Sequence, residues 1–342
     1  VSILLPDLYC SARDAVHWCP TSLSVQMAGI LFLWTVVDPS HDINTLQCLR
    51  RTLLQTMRHF HDNLGLLYLG CRLLKRISVC GVDMGGSVAK EARELAIRAL
   101  DNLTPEGLRE FCSEDEGGWI FEIVGELFDL ATIATPSHDA AGKAEVAAKG
   151  GIRAIMSAVR RLGDCADPDD PDDVASLHRE AFEAFEHFGD HNEVKVKVCA
   201  EGGIGLIVSA MNQHGAKMRC DMSEVEDERI IAAFKALSIL ADGSDSCRAS
   251  FLSQGGVEKV IQILEMEIVA FERATEFTDA FYTSALETLA ILADNNDCKN
   301  RIAQLHGIEQ IRANVLAAMS KNGSSEGVQA AGIRALSALH GN

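Results

Sequence analysis

The sequence predicts an all-α protein built from stacked three-helix repeats. Ala, Leu, Ile and Val dominate the hydrophobic 47% of its 342 residues, whereas aromatic residues contribute 6% and only seven prolines are present. This composition is typical of helices that pack through small and aliphatic side chains, and it suits a β-sandwich or barrel poorly. A glycine-containing turn also recurs along the chain, and the residues upstream of it align with one another.

The recurring turn consists of one or two glycines directly before an apolar segment at helical spacing. Its four copies are KGGIRAIMSAVRRL (149–162), EGGIGLIVSAMNQH (201–214), QGGVEKVIQILEM (254–266) and HGIEQIRANVLAAM (306–319). The glycines that precede the apolar runs, Gly151, Gly203, Gly256 and Gly307, follow one another after 52, 53 and 51 residues. A fixed period of this size indicates a repeat architecture.

The similarity extends upstream of the last two turns. Residues 239–264 match residues 291–316 across a single-residue gap, which places Cys247 in register with Cys298. A more distant copy covers 187–208. Both cysteines come near the start of a short predicted helix, where the helix dipole would favour a thiolate. Their recurrence in register nevertheless indicates a structural role.

Each repeat ends in a longer helix that is apolar around much of its circumference. These helices are predicted at 174–188, 228–242 and 282–294. In the second of them, Ile230, Phe234 and Leu237 lie on one stripe, and further apolar residues widen it. A helix with so broad an apolar surface must be covered on more than one side, and stacking between neighbouring repeats would cover it.

The order of these elements resembles the armadillo repeat: a short polar helix, a glycine turn, an apolar helix, a loop and a long A-x-x-A-L-x-x-L-A helix. In that family the glycine lets the chain bend sharply and lets two helices approach closely. The resemblance is good over 140–342 and loose over 90–140. It implies a right-handed α-α superhelix, an armadillo-like solenoid, at 91–342, preceded at 1–90 by an N-terminal helical cap or degenerate repeats.

The repeats differ from the family in length, because armadillo-type units usually span about 40–47 residues. The extra residues fall between the second and third helices, at 163–173, 215–228 and 266–279. Insertions there would lie along one edge of a solenoid, where they could contact a partner. One spacing is instead shorter than a repeat, because Gly118 comes only 33 residues before Gly151. We therefore expect an irregular junction near 115–140.

The net charge of −18 is unevenly distributed along the chain. Residues 1–100 carry 10 Lys and Arg against 8 Asp and Glu, whereas residues 101–342 carry 21 against 41. So acidic a repeat region disfavours nucleic acid as a partner, because phosphate binding needs a basic face. Two explanations remain open, solubility through self-repulsion and a basic protein partner.

Cysteine usage and hydropathy indicate the environment of the chain. The eleven cysteines include no C-x-x-C pair, and an odd number without a framework spacing predicts an intracellular, reducing compartment, the cytoplasm or nucleus. The most apolar run, 23–37, has 15 residues, fewer than the roughly 20 of a membrane span. It predicts a buried helix, with a membrane contact or the remnant of a targeting segment as alternatives.

The motifs of enzymes and cofactor sites are missing, so we predict a non-enzymatic protein without cofactor or metal. GVDMGGS (81–87) lacks the Gly-Lys-Ser/Thr ending of a phosphate-binding loop, and no Gly-x-Ser-x-Gly is present. The histidines lack metal-ligand spacing. DPDDPDD (167–173) lacks the glycine and glutamate of an EF-hand, and it predicts that Asp172 or Asp173 caps a helix starting near 174.

The resemblance to armadillo proteins implies a protein-protein interaction scaffold or adaptor that binds its partner in a concave groove of third helices and through the inserted loops. Import receptors of that family carry W-x-x-x-N on successive third helices. The Trp positions correspond here to Arg98, Glu183, Lys235, Glu287 and Arg334. The Asn positions correspond to Asn102, His187, Ile239, Ile291 and Ala338. Because one Asn and no Trp is kept, nuclear-import receptor activity is disfavoured.

The groove prediction rests on the polar residues at these positions, whose mixed charge suits a protein surface. The candidate protein-binding residues are Arg98, Asn102, Glu183, His187, Lys235, Glu287 and Arg334. The alternative to a binding role is that these side chains are only solvated. The alternative for the whole protein is a structural subunit of a large multiprotein assembly, which could be associated with a membrane and be held by its insertions and by 23–37. The sequence leaves the oligomeric state open.

Overall fold

The computed structural model of this chain describes residues 5–38, 42–80, 82, 86–103, 140–163, 171–189, 191–216, 224–269 and 276–340. Over these ranges it contains seventeen α-helices and no strand, which confirms the all-α prediction. The chain divides into two compact units, Val1–Cys165 (unit 1) and Ala166–Asn342 (unit 2). The predicted junction near 115–140 and the central parts of the three insertions lie outside the described residues.

Unit 1 combines a helical group at its N-terminus with one copy of the glycine turn. Its described helices are α1 (Leu5–Trp18), α2 (Leu23–Val36), α3 (Ile43–His59), α4 (Leu64–Val79), α5 (Gly86–Asn102), α6 (Ala140–Ala148) and α7 (Gly151–Gly163). Helix α2 packs against α1 and α4, α3 packs against α4, and α5 packs against α7. Asp42 and Asn63 act as N-caps, and their side chains accept hydrogen bonds from the third residues of α3 and α4.

The apolar run 23–37 forms the short helix α2. It is buried on one face, through Gln26, Gly29, Ile30 and Leu33, whereas Leu31 on another face is 49% exposed. The prediction of a buried helix therefore holds for one side of α2. Of the helices that the structure describes, α2 included, none combines the length and the apolarity needed to cross a membrane.

A buried glutamine joins three helices of unit 1. Gln26 on α2 donates from Nε2 to the Val16 carbonyl (2.7 Å) and the Cys19 carbonyl (2.9 Å) at the end of α1. Its Oε1 accepts a hydrogen bond from Thr56 Oγ1 on α3 (2.9 Å). Because buried polar groups are costly unless they are paired, this network fixes how α1, α2 and α3 meet.

Unit 2 consists of one long helix followed by three successive three-helix repeats. Its described helices are α8 (Pro171–Phe188), α9 (Asn192–Ala200), α10 (Gly203–Ala216), α11 (Glu224–Ala241), α12 (Asp245–Ser253), α13 (Gly256–Val269), α14 (Glu276–Ala293), α15 (Asn296–His306), α16 (Ile308–Lys321) and α17 (Glu326–His340). The prediction of α8 needs correction, because the helix begins at Pro171. Asp172 and Asp173 therefore lie in its first turn and do not cap it, and proline is favoured at that first position.

Equivalent helices of successive repeats pack against each other. The third helices α8, α11, α14 and α17 stack one on the next, and so do α10, α13 and α16. In register, Phe182 of α8, Phe234 of α11 and Leu286 of α14 are fully buried. The helical period places one large apolar residue at each of these interfaces, and its burial stabilises the stacking of α8, α11 and α14 in the same way. Ile333, at this position of α17, is 61% exposed.

The two glycines of the recurring turn have different roles. Gly202 has a φ of 93°, which L-residues with a side chain rarely adopt. Gly203 is the first residue of α10, and a Cβ there would come within 2.5 Å of Val198 Cγ1. The first glycine thus permits the bend and the second permits the close approach. In the last repeat Gly307 alone makes the turn, with a φ of 75°.

Gly203, Gly256 and Gly307 are called the hinge glycines below, and eight positions before each of them lies a basic residue that binds the C-terminal end of a third helix. The three hydrogen bonds are Lys195 Nζ to the Asp242 carbonyl (2.6 Å), Arg248 Nη1 to the Ala241 carbonyl (2.8 Å) and Lys299 Nζ to the Ala338 carbonyl (3.1 Å). A cation is favourable there because the last carbonyls of a helix carry the negative end of its dipole. The recurrence of these residues in sequence therefore has a structural cause.

The recurring cysteines are packing residues. Cys247 and Cys298 are fully buried, and burial raises the pKa of each thiol to about 11. The expectation that the helix dipole would favour a thiolate is therefore wrong, because desolvation of the charged form outweighs the dipole at these positions.

Candidate functional site

The third helices of unit 2 carry a row of charged residues, one from each helix. Glu183 on α8, Lys235 on α11 and Arg334 on α17 are exposed, and Glu287 on α14 is half-buried. These four residues are called the charged row below. They occupy equivalent positions on helices that stack consecutively, so they are spaced along one side of the stack.

A second row lies one helical turn further along the same helices. It consists of His187, Ile239, Ile291 and Ala338, and is called the apolar row below. His187 is exposed, and the other three are half-buried. The two rows together present aliphatic surface beside charges of both signs.

Ion pairs connect neighbouring third helices across this face. Arg334 Nη2 lies 2.6 Å from Glu287 Oε1, and Arg179 on α8 pairs with Glu228 on α11. Exposed pairs of this kind contribute about 0–1 kcal/mol each to stability. Glu287 and Arg334 therefore neutralise each other while remaining accessible to a partner.

Glu186 is a titratable residue of this face that the sequence did not single out. Burial raises the pKa of its carboxyl to about 7, with Lys235 counteracting the increase and Glu183 adding to it. A carboxyl that titrates near neutral pH is a candidate for a functional role. The sequence feature that points to Glu186 is its position three residues after Glu183, which places both carboxylates on one side of α8.

A cleft of about 460 Å³ opens between α14, the start of α15 and α17. It is lined by Glu287, Ala290, Ile291, Ala293, Asp294, Asn296, Lys299, Arg334, Ser337 and Ala338. Both rows contribute to it, through Glu287 and Arg334 and through Ile291 and Ala338. Asp294, Lys299 and Ser337 were not predicted as site residues, because they reach the cleft only when two neighbouring repeats are stacked.

The remaining predicted residues lie in unit 1. Arg98 and Asn102 are both on α5, and both are exposed. The structure thus brings Glu287 and Arg334 into contact and places Glu183, Glu186 and Lys235 within electrostatic range of each other.

Two buried polar side chains interrupt the apolar pattern of the third helices. His178 is 6% exposed at the position that Ile230 and Tyr282 occupy in the next two repeats. Burial lowers the pKa of its imidazole to about 4, and the neighbouring Arg229 adds to this effect. Arg229 is 1% exposed and donates from Nη1 to Gln213 Oε1 at 2.8 Å. The two side chains place ionisable groups between α8 and α11, whereas the buried Thr288 between α11 and α14 is uncharged and donates to the Phe234 carbonyl.

A search for metal-ligating clusters over the described ranges finds no group of three or more His, Cys, Asp and Glu side chains placed to hold an ion. Most of the aspartate-rich segment 167–173 lies outside these ranges.

Comparison with known proteins adds little to this description. No protein-family model matches the chain, and no curated protein matches it. Among solved structures, the crystal structure of an engineered protein aligns with this chain at 17% sequence identity and a TM-score of 0.43. The alignment covers 96% of this chain and 96% of that chain. A similarity at that level supports no inference about fold or function.

Proposed function

We propose that this protein is a non-enzymatic scaffold of the armadillo-like α-solenoid type, which holds a segment of a partner protein against its third helices. The proposal is supported by three repeats in register and by the consecutive packing of their equivalent helices in unit 2. The resemblance of the glycine turn and of the long third helix to the armadillo repeat supports it as well. Membership of residues 91–165 in the same array stays a prediction.

The cleft between α14 and α17 is the observation that carries this proposal. Four of the positions predicted from the third-helix ladder, Glu287, Ile291, Arg334 and Ala338, line it together. A cleft lined by both aliphatic and charged side chains fits a peptide segment better than a small polar substrate. We assign the cleft as the anchor point of the partner segment.

The charge of unit 2 favours a basic partner segment. Residues 166–342 carry 29 Asp and Glu against 15 Lys and Arg. Complementary charge would steer such a segment to the acidic surface, and the contribution would weaken with added salt.

The proposal can be tested by comparing partner capture by two double variants of the full chain. Lys235→Ala/Glu287→Ala removes two members of the charged row without a change in net charge. Lys259→Ala/Glu309→Ala is the matched control, because these residues lie on the second helices α13 and α16. We expect the first variant to lose a partner that wild type and control both retain. Equal capture by both variants would show that the third-helix face is not the binding surface.

A photo-crosslinking amino acid then locates the contact. Placed at Ile291, it should link to a partner segment, whereas at Glu309 on α16 it should not. Links from Glu309 alone would move the binding site to the second helices and contradict the assignment of the cleft.

A structural subunit of a larger assembly is the second candidate, and exposed apolar residues of unit 1 favour it. Trp18 at the end of α1 is 76% exposed and Val79 at the end of α4 is 79% exposed. Such residues are more typical of an interface than of free surface when they cluster. Under this proposal the isolated chain should self-associate during size exclusion, and Trp18→Ser/Val79→Ser should reduce the association. A monomer that is unchanged by these substitutions would favour the scaffold.

A further inference from the structure

Two thiols of unit 2 face each other across the interface between neighbouring first helices. Cys199 is near the end of α9, Cys247 is in the first turn of α12, and these two helices pack together. Cys199 Sγ donates to the Ser246 carbonyl at 3.8 Å, and Cys247 Sγ donates to the Lys195 carbonyl at 3.5 Å. Each thiol thus points at the backbone of the other's helix, and the two thiols are close enough to influence each other's ionisation.

The two thiols differ in their access to solvent. Cys199 is half-buried and Cys247 is buried. Burial raises the pKa of Cys247 to about 11 and the adjacent Cys199 adds to this increase, so Cys247 is a poor nucleophile towards dissolved oxidants. Cys199 is the thiol that a small oxidant reaches first.

We propose that Cys199 and Cys247 form a reversible disulfide when hydrogen peroxide or a similar peroxide oxidises the protein. The Cys199 thiolate attacks a peroxide oxygen and the O–O bond breaks, which gives Cys199 sulfenic acid and a hydroxide ion that becomes water by taking up the proton lost from the Cys199 thiol. The Cys247 sulfur then attacks the sulfenic sulfur, the S–O bond breaks, and the hydroxide leaves as water with the Cys247 proton. The two thiols together supply two electrons to the peroxide.

The disulfide would join two repeats of unit 2. It connects α9 to α12, at residues 48 positions apart in the chain, and a bond that closes so long a loop restricts the unfolded state strongly. It would also fix the spacing between the first two complete repeats. This inference is independent of the proposed binding function, because neither cysteine belongs to the third-helix face.

The chain contains a matched position without the second thiol. Cys298 on α15 occupies the register of Cys247, nine residues before the hinge glycine, and is equally buried. Leu252 on α12 stands where Cys199 stands on α9, four residues before the hinge glycine. Cys298 therefore has the burial of Cys247 without a thiol at the equivalent facing position, and it should stay reduced under the same treatment.

Peptide mapping of the full-length protein tests the proposal. The protein is treated with hydrogen peroxide, alkylated while unfolded, digested without reductant and analysed by mass spectrometry. We expect a linked peptide containing Cys199 and Cys247 that disappears after reduction with dithiothreitol, and an alkylated Cys298. Cys247 recovered in the alkylated form while Cys199 is over-oxidised or linked to another cysteine would overturn the proposal.

Two variants separate the roles of the thiols. In Cys247→Ser, Cys199 should accumulate as a sulfenic acid that dimedone traps, and in Cys199→Ser, Cys247 should stay reduced. Cys298→Ser is the control and should form the linked peptide as wild type does. Oxidation should raise the urea midpoint of the wild type and leave that of Cys199→Ser unchanged. A midpoint increase of the same size in Cys199→Ser would assign the effect to a different cysteine and contradict the proposal.

Discussion

The N-terminal helices of unit 1 and the repeats of unit 2 are stabilised in different ways. Helices α1, α2 and α3 meet around the buried Gln26. In unit 2 the half-buried Gln329 of α17 makes two of the same kinds of bond, from its Nε2 to the Met319 and Asn322 carbonyls at the end of α16. In unit 2, α8, α11 and α14 each bury a large apolar residue in register, and basic residues bind the ends of α11 and α17. These contacts are spread over several repeats, whereas the bond from Thr56 to Gln26 ties α3 to α1 and α2 at a single side chain.

The largest effect is expected where unit 1 depends on a single side chain. Gln26→Leu keeps the apolar volume but leaves the buried Val16 carbonyl and the Thr56 hydroxyl without this partner, whereas the Cys19 carbonyl still accepts from the Ser22 N–H. At about 1–3 kcal/mol for each of the two buried groups, we expect the free energy of unfolding to fall by about 4 kcal/mol. Urea denaturation followed by circular dichroism measures it. The control Gln55→Leu alters an exposed glutamine of α3 and should change little, and equal effects would refute the role of Gln26.

The next largest effect is expected at His178, whose burial makes the stability of the protein depend on pH. The folded protein keeps His178 neutral down to a pKa of about 4, whereas the unfolded chain takes up a proton near pH 6.5. The contribution of the neutral His178 to the free energy of unfolding is therefore fully present above pH 6.5. As the pH falls towards 4, the free energy of unfolding decreases by up to about 3 kcal/mol. His178→Ile adopts the residue of the next repeat and should remove this loss.

Thermal unfolding of wild type and His178→Ile between pH 4 and pH 7.5 measures the difference. Glu186 has the opposite dependence, because its raised pKa of about 7 makes the folded state less stable as the pH rises from 4.5 to 7. That contribution is common to both proteins, so the difference between them isolates His178. Parallel pH profiles would show that the imidazole is not desolvated.

Two glycines of the recurring turn should resist replacement by alanine for different reasons. A Cβ at Gly256 would lie 2.1 Å from Cε2 of Phe251, which is fully buried, so Gly256→Ala must displace a core ring. We expect a loss of about 2 kcal/mol. At Gly307, none of the described atoms lies within 4 Å of the added Cβ. Gly307→Ala therefore suffers only from its backbone conformation, φ 75° and ψ 140°, which residues other than glycine rarely adopt, at about 1–3 kcal/mol. A Gly256→Ala variant as stable as the wild type in urea denaturation would disprove the steric role of the second glycine.

The smallest effect belongs to the charged row. Arg334→Ala removes the ion pair with Glu287, and an exposed pair is worth about 0.5 kcal/mol. A double-mutant cycle with Glu287→Ala should return a coupling of that size, and it should weaken in 1 M salt. A coupling above about 2 kcal/mol would mean that the pair stabilises the stack and is not free to bind a partner.

The repeats could be predicted from sequence because helical spacing and glycine are local signals. The pattern of Phe234 and Leu237 predicts a broadly apolar helix, and Gly203 marks the turn before α10. The sequence predicts the start of α8 near 174, and the helix begins earlier, at Pro171, because proline is favoured at the first position of a helix. The structural role that the sequence predicts for Cys247 agrees with its burial, but the raised pKa of its thiol depends on the neighbouring repeat.

By itself, the sequence determined that the chain is helical, that its helices come in repeats of 51–53 residues, and where the chain turns between them, because backbone propensity and apolar period act within a few residues of the chain. Tertiary structure alone decided which side chains meet. The cleft that combines Ile291 with Ala338, the titration of Glu186 and the contact of Cys199 with Cys247 all arise between neighbouring helices. Burial and electrostatic interactions depend on distance in space, and that distance is set only when the helices have packed.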